Sequence, residues 1–158
     1  MAQQHLFRTE VIPQWLDYNG HVRDSYHTVI FSDAVDTFME AIGVDEAYRK
    51  RTRKTLYTLE LHTIFLKELL ERTPLQVETQ LLAVDHKRLH LWQGIRNLND
   101  QVLHTVQETM MLHVSQEPTP PRSEPFPGEI QQRVDSWWQE HRELPNPSVR
   151  ASCIGLRR

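Results

Sequence analysis

Apolar residues recur along this chain with two different periods. From His27 onward Ile30, Phe31, Ala34, Val35, Phe38, Met39 and Ile42 follow at steps of three and four, the stripe of an amphipathic helix. Asp24 or Ser25 is a candidate N-cap and Gly43 a candidate C-cap. The stripe is wide, so the rest of the chain is expected to wrap it. Before it, His5 to Ile12 reads as a strand stopped by Pro13, and Asp45 to Arg53 reads as a short charged helix or turn. After it the period falls to two. Leu56 to Leu66 puts Tyr57, Leu59, Leu61, Thr63 and Phe65 on one face, and Pro74 opens a second run to Asp85. Leu89, Leu91, Gln93 and Ile95 continue the alternation, and Val102 to Val114 closes it. The turns are His86-Lys87-Arg88 and Asn97-Leu98-Asn99-Asp100. Short turns between such runs predict consecutive antiparallel hairpins. The expectation is an α+β domain, with one long apolar helix against an antiparallel sheet.

From Glu117 the pattern breaks, with five prolines between Pro118 and Pro127. Glu129 to Glu143 reads as a short helix carrying Trp137 and Trp138, and Asn146 to Arg158 as a final extended stretch. The division is a domain over 1–116 and a Pro-rich linker with a C-terminal extension over 117–158, packing on that domain.

Composition narrows the classes. The chain has 158 residues, enough for one core. Apolar residues make up 39% and charged residues 25%, as in ordinary globular proteins. Cys153 is the single cysteine, so neither an intramolecular disulfide nor a thiolate zinc knuckle can form. With no leader pattern either, a reducing, cytoplasmic setting is expected. Eighteen basic and 21 acidic residues are interspersed, which argues against a nucleic-acid partner. Apolar runs are too short for a membrane span. No GxGxxG or GxxxxGK occurs, which removes Rossmann and P-loop readings.

The chemistry-bearing segment is Asp17-Tyr18-Asn19-Gly20-His21-Val22, a polar turn leading into the helix. Free N–H groups at a helix N-terminus bind a developing oxyanion. A carboxylate beside them can attack a carbonyl or activate a water that does. Asp-x-Asn-Gly is also ordinary turn chemistry. His21 can orient the carboxylate or hold a water, or simply pack in the turn, and Asn19 is a turn former first and a site residue second. Glu60 and His62 share one strand face, but two ligands are too few for a metal site.

The segment resembles the D-x-x-G-H-[VM] signature of hotdog-fold acyl-CoA thioesterases of the 4-hydroxybenzoyl-CoA thioesterase type. Phe31-Ser32-Asp33-Ala34 with Ile42-Gly43-Val44 is similar to that family's central helix. Tyr57-Thr58-Leu59-Glu60-Leu61-His62 is similar to its second strand, and Asp85-His86-Lys87-Arg88-Leu89-His90 to its central hairpin. Met111-Leu112-His113-Val114 is similar to the end of its last strand, so the likeness covers about residues 5–115. A narrower likeness, on Trp15-Leu16-Asp17-Tyr18-Asn19-Gly20-His21, the Tyr-Thr-x-Glu-x-His strand and the Asp-x-Lys-Arg-Leu-His turn, is to the betainyl-CoA thioesterases of carnitine degradation.

The resemblance implies a hotdog fold, an antiparallel sheet wrapped around the central helix. It implies homodimers, with dimers of dimers as an option, whose active sites lie between subunits. Asp17 is then nucleophile or general base on the thioester, with the carbonyl polarised by the helix start near Val22 to Ser25, so that Val22, Arg23 and Asp24 are candidate substrate contacts. Lys87 and Arg88, and more weakly Arg23 and Lys67, are candidates for CoA phosphates. No cofactor or metal is implied, coenzyme A being part of the substrate. A trimethylammonium acyl group offers no hydrogen-bond donor, so aromatic faces and carboxylates must hold it. Trp15, Tyr18, Tyr26 and Trp92 are candidate faces and Glu60 a candidate counter-charge, with at least two aromatics expected to converge near Asp17. The alternative reading is an acyl-CoA-binding or regulatory hotdog protein without turnover. The motifs of hotdog hydratases are not found.

Overall fold

The computed structural model describes residues 2–156. It runs β1 (His5–Glu10), a 3-10 turn (Pro13–Trp15), α1 (Asp24–Ala41), α2 (Glu46–Thr52), β2 (Lys54–Phe65), β3 (Pro74–Val84), β4 (Arg88–Asn97), β5 (Leu103–Ser115), β6 (Arg122–Ser123) and α3 (Gly128–His141). The antiparallel sheet has the order β1-β3-β4-β5-β2, with β6 on β5, and it curls around α1 as a hotdog fold. Helix α1 buries His27, Ile30, Phe31, Ala34, Val35, Phe38 and Met39, the residues of the predicted stripe. Each large apolar side chain so buried stabilises the fold by about 1.5–3 kcal/mol. Its N-cap is Arg23, so Asp24 is the first helical residue rather than the cap. Gly43, with φ of +88°, turns the chain out of the helix.

The expected hairpins form at β3–β4 and β4–β5, but β2 and β3 do not pair. β2 pairs with β5, and β3 pairs with β1 at the opposite edge. The link over 66–73 is no tight turn. Leu66 and Lys67 donate their amides to the His104 carbonyl, and Leu69 is fully buried. The chain thereby crosses the end of the sheet at the start of α1. A second departure lies within β2. Thr58 pairs with Met111 and Glu60 with Met110, so Leu59 is an extra, bulged residue. Leu61, Thr63 and Phe65 share the helix-facing side with Thr109, Gln107 and Thr105, whereas Tyr57 falls on the outer side.

The C-terminal extension belongs to the same core. Phe126, Ile130 and Val134 pack among Phe38, Ile42 and Met111, and Trp137 meets Phe38 edge-on at 5.5 Å. Beyond α3 the chain crosses the outer face of the sheet like a strap, along the register row Gln80, Trp92, Glu108, His62. Gln80 donates to the Pro145 carbonyl at 3.4 Å, and the Trp92 indole donates to the Val149 carbonyl at 2.9 Å. Oε1 of the fully buried Glu108 accepts from Arg150 Nε and the Ala151 amide, each at 2.7 Å. Oε2 pairs with His90 Nε2 at 2.7 Å, and Cys153 Sγ lies 3.2 Å from His62 Nδ1.

Candidate active site

The segment before α1 folds back on itself. Leu16 bridges Val22, the Asp17 amide donates to the His21 carbonyl at 2.8 Å, and the Gly20 amide donates to the Asp17 carbonyl at 3.1 Å. Gly20 has φ of +77°, which a side chain would strain. Asp17 Oδ1 accepts from the amides of Asn19 at 2.7 Å and His21 at 3.2 Å. Oδ2 carries no hydrogen bond among the described residues. Partial burial works to raise the carboxyl's pKa. The two amides, with His21 and Arg23 close by, outweigh it and hold the group below the usual range. Asp17 is therefore an ionised carboxylate at neutral pH, with one oxygen fixed and one free.

The free donor at the helix start is narrower than the expected stretch near Val22 to Ser25. The Val22 amide is committed to the Leu69 carbonyl, and that of Arg23 to the Trp15 carbonyl, each at 2.9 Å. The Tyr26 amide donates to the Arg23 carbonyl at 3.0 Å, and the Ser25 amide to Asp24 Oδ1 at 2.7 Å. The Asp24 amide, first of the helix, is left without a partner among the described residues. In a trans peptide N–H and C=O point oppositely. The Arg23 carbonyl points into the helix toward Tyr26, so the Asp24 N–H points out of it, where the helix dipole is positive.

Asp17, His21, Val22 and Asp24 line one open depression of about 370 Å3, with His27, Phe65, Leu66, Lys67 and Glu68. The crossing loop thus supplies one wall and the helix start the other. Asn19 sits exposed at the turn tip and takes part through its amide. Arg23 is exposed, its Nε 3.3 Å from the Leu16 carbonyl. Trp15 is half-buried on the flank and stacks on Tyr26 at 6.4 Å, and Tyr18 is 94% exposed.

The remaining candidates lie elsewhere in the chain. Lys87 and Arg88 occupy the β3–β4 hairpin, where Arg88 Nε holds Asp85 at 2.8 Å and Lys87 Nζ reaches Ser123 at 3.2 Å. β4 enters the sheet opposite Leu112, whereas the site lies by Thr105, about 24 Å away along the strand. Glu60 lies on the exposed edge strand, in a surface hollow with Arg88. Trp92 is buried beneath the strap on the outer face. Phe65, which the pattern placed only in a strand, is the Phe, Tyr or Trp ring that lines the depression. His27 is the other residue that sequence reasoning passed over. It is a polar position inside an apolar stripe, one helical turn after Asp24, and that spacing is the signal it offered.

The model of the thioesterase-like superfamily matches residues 11–134. The chain is 41% identical to a betainyl-CoA thioesterase of Pseudomonas aeruginosa over 150 residues, covering 95% of this chain and 93% of that protein. It is 31% identical to an L-carnitine dehydrogenase/betainyl-CoA thioesterase of Rhizobium meliloti, covering 97% of this chain and 30% of that longer protein. Among solved structures, a Staphylococcus aureus protein in complex with CoA superposes with a TM-score of 0.88 at 28% identity, covering 99% of this chain and 98% of that one. A putative thioesterase of Pseudomonas putida superposes with a TM-score of 0.80 at 30% identity, covering 100% and 99%.

Proposed function

Because the chain belongs to the thioesterase-like superfamily, we propose that it hydrolyses betainyl-CoA to betaine and CoA at the depression between Asp17 and the start of α1. The observation that carries this is that Asp17 and Asp24 line one depression, the first with a carboxylate oxygen and the second with a helix-start amide that have no partner among the described residues. The relative in Pseudomonas aeruginosa supplies the acyl group.

The thioester carbonyl oxygen takes the Asp24 N–H. Asp17 Oδ2 then acts in one of two balanced ways. As a base it takes a proton from water while the water oxygen bonds to the carbonyl carbon. The C–S bond breaks, and the proton passes to the departing thiolate. As a nucleophile Oδ2 bonds to the carbonyl carbon directly, expels the thiolate and leaves a mixed anhydride for water to open. Neither route requires a metal or organic cofactor, so dialysis against a chelator is expected to leave the rate unchanged. Single turnover in oxygen-18 water tests for the anhydride, since water that opens it at the Asp17 carbonyl leaves label in the enzyme, which the general-base route never does. His21 orients the carboxylate, and Val22 and Arg23 shape the helix start.

We also infer a homodimer. β2 is an edge strand with Tyr57, Leu59, Leu61 and Phe65 exposed. Antiparallel pairing of two β2 strands reverses one sheet against the other. Lys87 and Arg88 of the partner subunit then approach the Asp17 end, where CoA phosphates need cations. Carnitine degradation in the cytoplasm is the setting that fits this substrate.

The test is thiol release from betainyl-CoA beside acetyl-, benzoyl- and medium-chain acyl-CoA. Preferred cleavage of betainyl-CoA supports the reading. Tight binding with no release of thiol from any substrate overturns it in favour of a regulatory acyl-CoA-binding protein.

A further inference from the structure

We propose that His27 is a positioning residue for this hydrolysis, its imidazole tying the first turn of α1 to Thr105 of β5 so that the Asp24 amide stays aimed at the thioester oxygen. This rests on the hydrolase reading above and assigns to that site a residue outside the Asp17 turn.

The side chain is placed for the task. His27 lies one helical turn after Asp24, on the same helix face, and lines the same depression. It is only 3% exposed, so the imidazole is fixed by the protein around it. Nδ1 lies 2.7 Å from Thr105 Oγ1, at the start of β5, and this pair ties the first turn of α1 to the sheet. Phe65 closes the ring edge-on at 5.1 Å.

The helix start is thereby held at two points, the Val22 amide by Leu69 of the crossing loop and the His27 ring by Thr105 of β5. The Asp24 amide lies between these two anchors in sequence. Burial pushes the His27 pKa down to about 4, so the ring is neutral where the reaction runs and trades no proton with the substrate. Its contribution is to geometry, and geometry matters steeply. A displacement of about 1 Å in a group acting on the transition state costs on the order of 100-fold in rate.

The experiment compares wild type, His27→Ala, His27→Gln and Thr105→Val. kcat and KM are measured on whichever acyl-CoA of the panel the wild type cleaves best, with thermal melting as the control for folding. His27→Ala is expected to lose about 10–100-fold in kcat with KM changed less than about threefold, since the amide acts on the developing oxyanion. His27→Gln, whose carboxamide restores a polar partner for the Thr105 hydroxyl, is expected to recover most of that loss. Thr105→Val is expected to lose a smaller factor of the same kind.

A folded His27→Ala variant with unchanged kcat overturns the proposal, as does a loss carried wholly by KM. A Gln variant that is folded yet no better than Ala also overturns it. If the alanine variant does not fold, Thr105→Val decides, and an unchanged kcat there overturns the proposal too. A wild type inert on every acyl-CoA removes the hydrolase reading itself, a result distinct from an active wild type whose His27 variants are indifferent.

Discussion

Replacing Trp92 by alanine separates holding the fold from holding the substrate. The indole is 3% exposed and donates to the Val149 carbonyl at 2.9 Å. It lies against Gly94, where an added Cβ would come within 2.5 Å of Trp92 Cη2, so ring and glycine fit as a pair. Truncation leaves a cavity and an unpaired carbonyl under the strap. Trp→Ala in a core costs about 3–5 kcal/mol, and the lost hydrogen bond adds about 1 kcal/mol. For a chain of this size each kcal/mol moves Tm by roughly 2–4 °C, so a fall of roughly 8–24 °C is expected. Trp92→Phe, which keeps most of the volume and loses the donor, is expected to fall by only a few degrees. Catalysis gives the opposite expectation. Trp92 is on the outer face, away from the depression of Asp17, so the ratio of kcat/KM for betainyl-CoA to that for acetyl-CoA stays as in the wild type. Thermal melting and thiol release on the same samples check both halves. A melting point within about 2 °C of wild type, with KM raised for betainyl-CoA alone, would refute the reasoning and return Trp92 to the substrate site.

Asp17→Asn keeps the turn's hydrogen-bond acceptor and removes the ionised oxygen. It is expected to lower turnover at least about 100-fold with the fold intact, read by thiol release and melting. Acid is expected to weaken the fold in two steps. His27, His113 and His141 are held below their ordinary pKa values by burial, so the native state binds fewer protons than the unfolded chain and stability falls as pH drops below 6.5. For His27 that loss continues to about pH 4 and reaches at most about 3 kcal/mol. Asp85 and Glu108 are held low despite burial, chiefly by hydrogen bonds from Lys87 and Arg88 and from His90 and Arg150 respectively. Their stabilisation is present above the usual carboxylate range and lost below it, as chemical denaturation across pH will read. On the proposed pairing of two β2 edges, Leu59→Lys is expected to shift the sedimentation profile from dimer to monomer, and an unchanged profile would refute that pairing.

Much of the scaffold was legible because its signals are local. The helix stripe from His27 to Ile42, and the turns at His86–Arg88 and Asn97–Asp100, each follow from neighbours within a few residues. The pairing of β2 with β5 did not, because the link over 66–73 is anchored by His104 and Val22, far off in sequence. The bulge at Leu59 has no Gly or Pro to mark it, and it moved Tyr57 to the face opposite Leu61. In the site, Asp17 stood out because Asp-x-Asn-Gly is both turn chemistry and a recognisable signature. His27 was hidden by its place in an apolar run, and Phe65 by its place in a strand. Trp92 drew attention as an aromatic, yet what decides its role is the chain segment laid over it some fifty residues later.

That laid-over segment limits how the chain can be shortened. Its fastenings are taken in turn from Gln80, Trp92, Glu108 and His62, on four successive strands, so peeling from the far end meets them one at a time. Trimming past Gly155 disturbs none of these fastenings. A cut before Val149 strips the indole and a buried carboxylate of their cover together, and the bared sheet becomes a surface on which copies of the protein would clump.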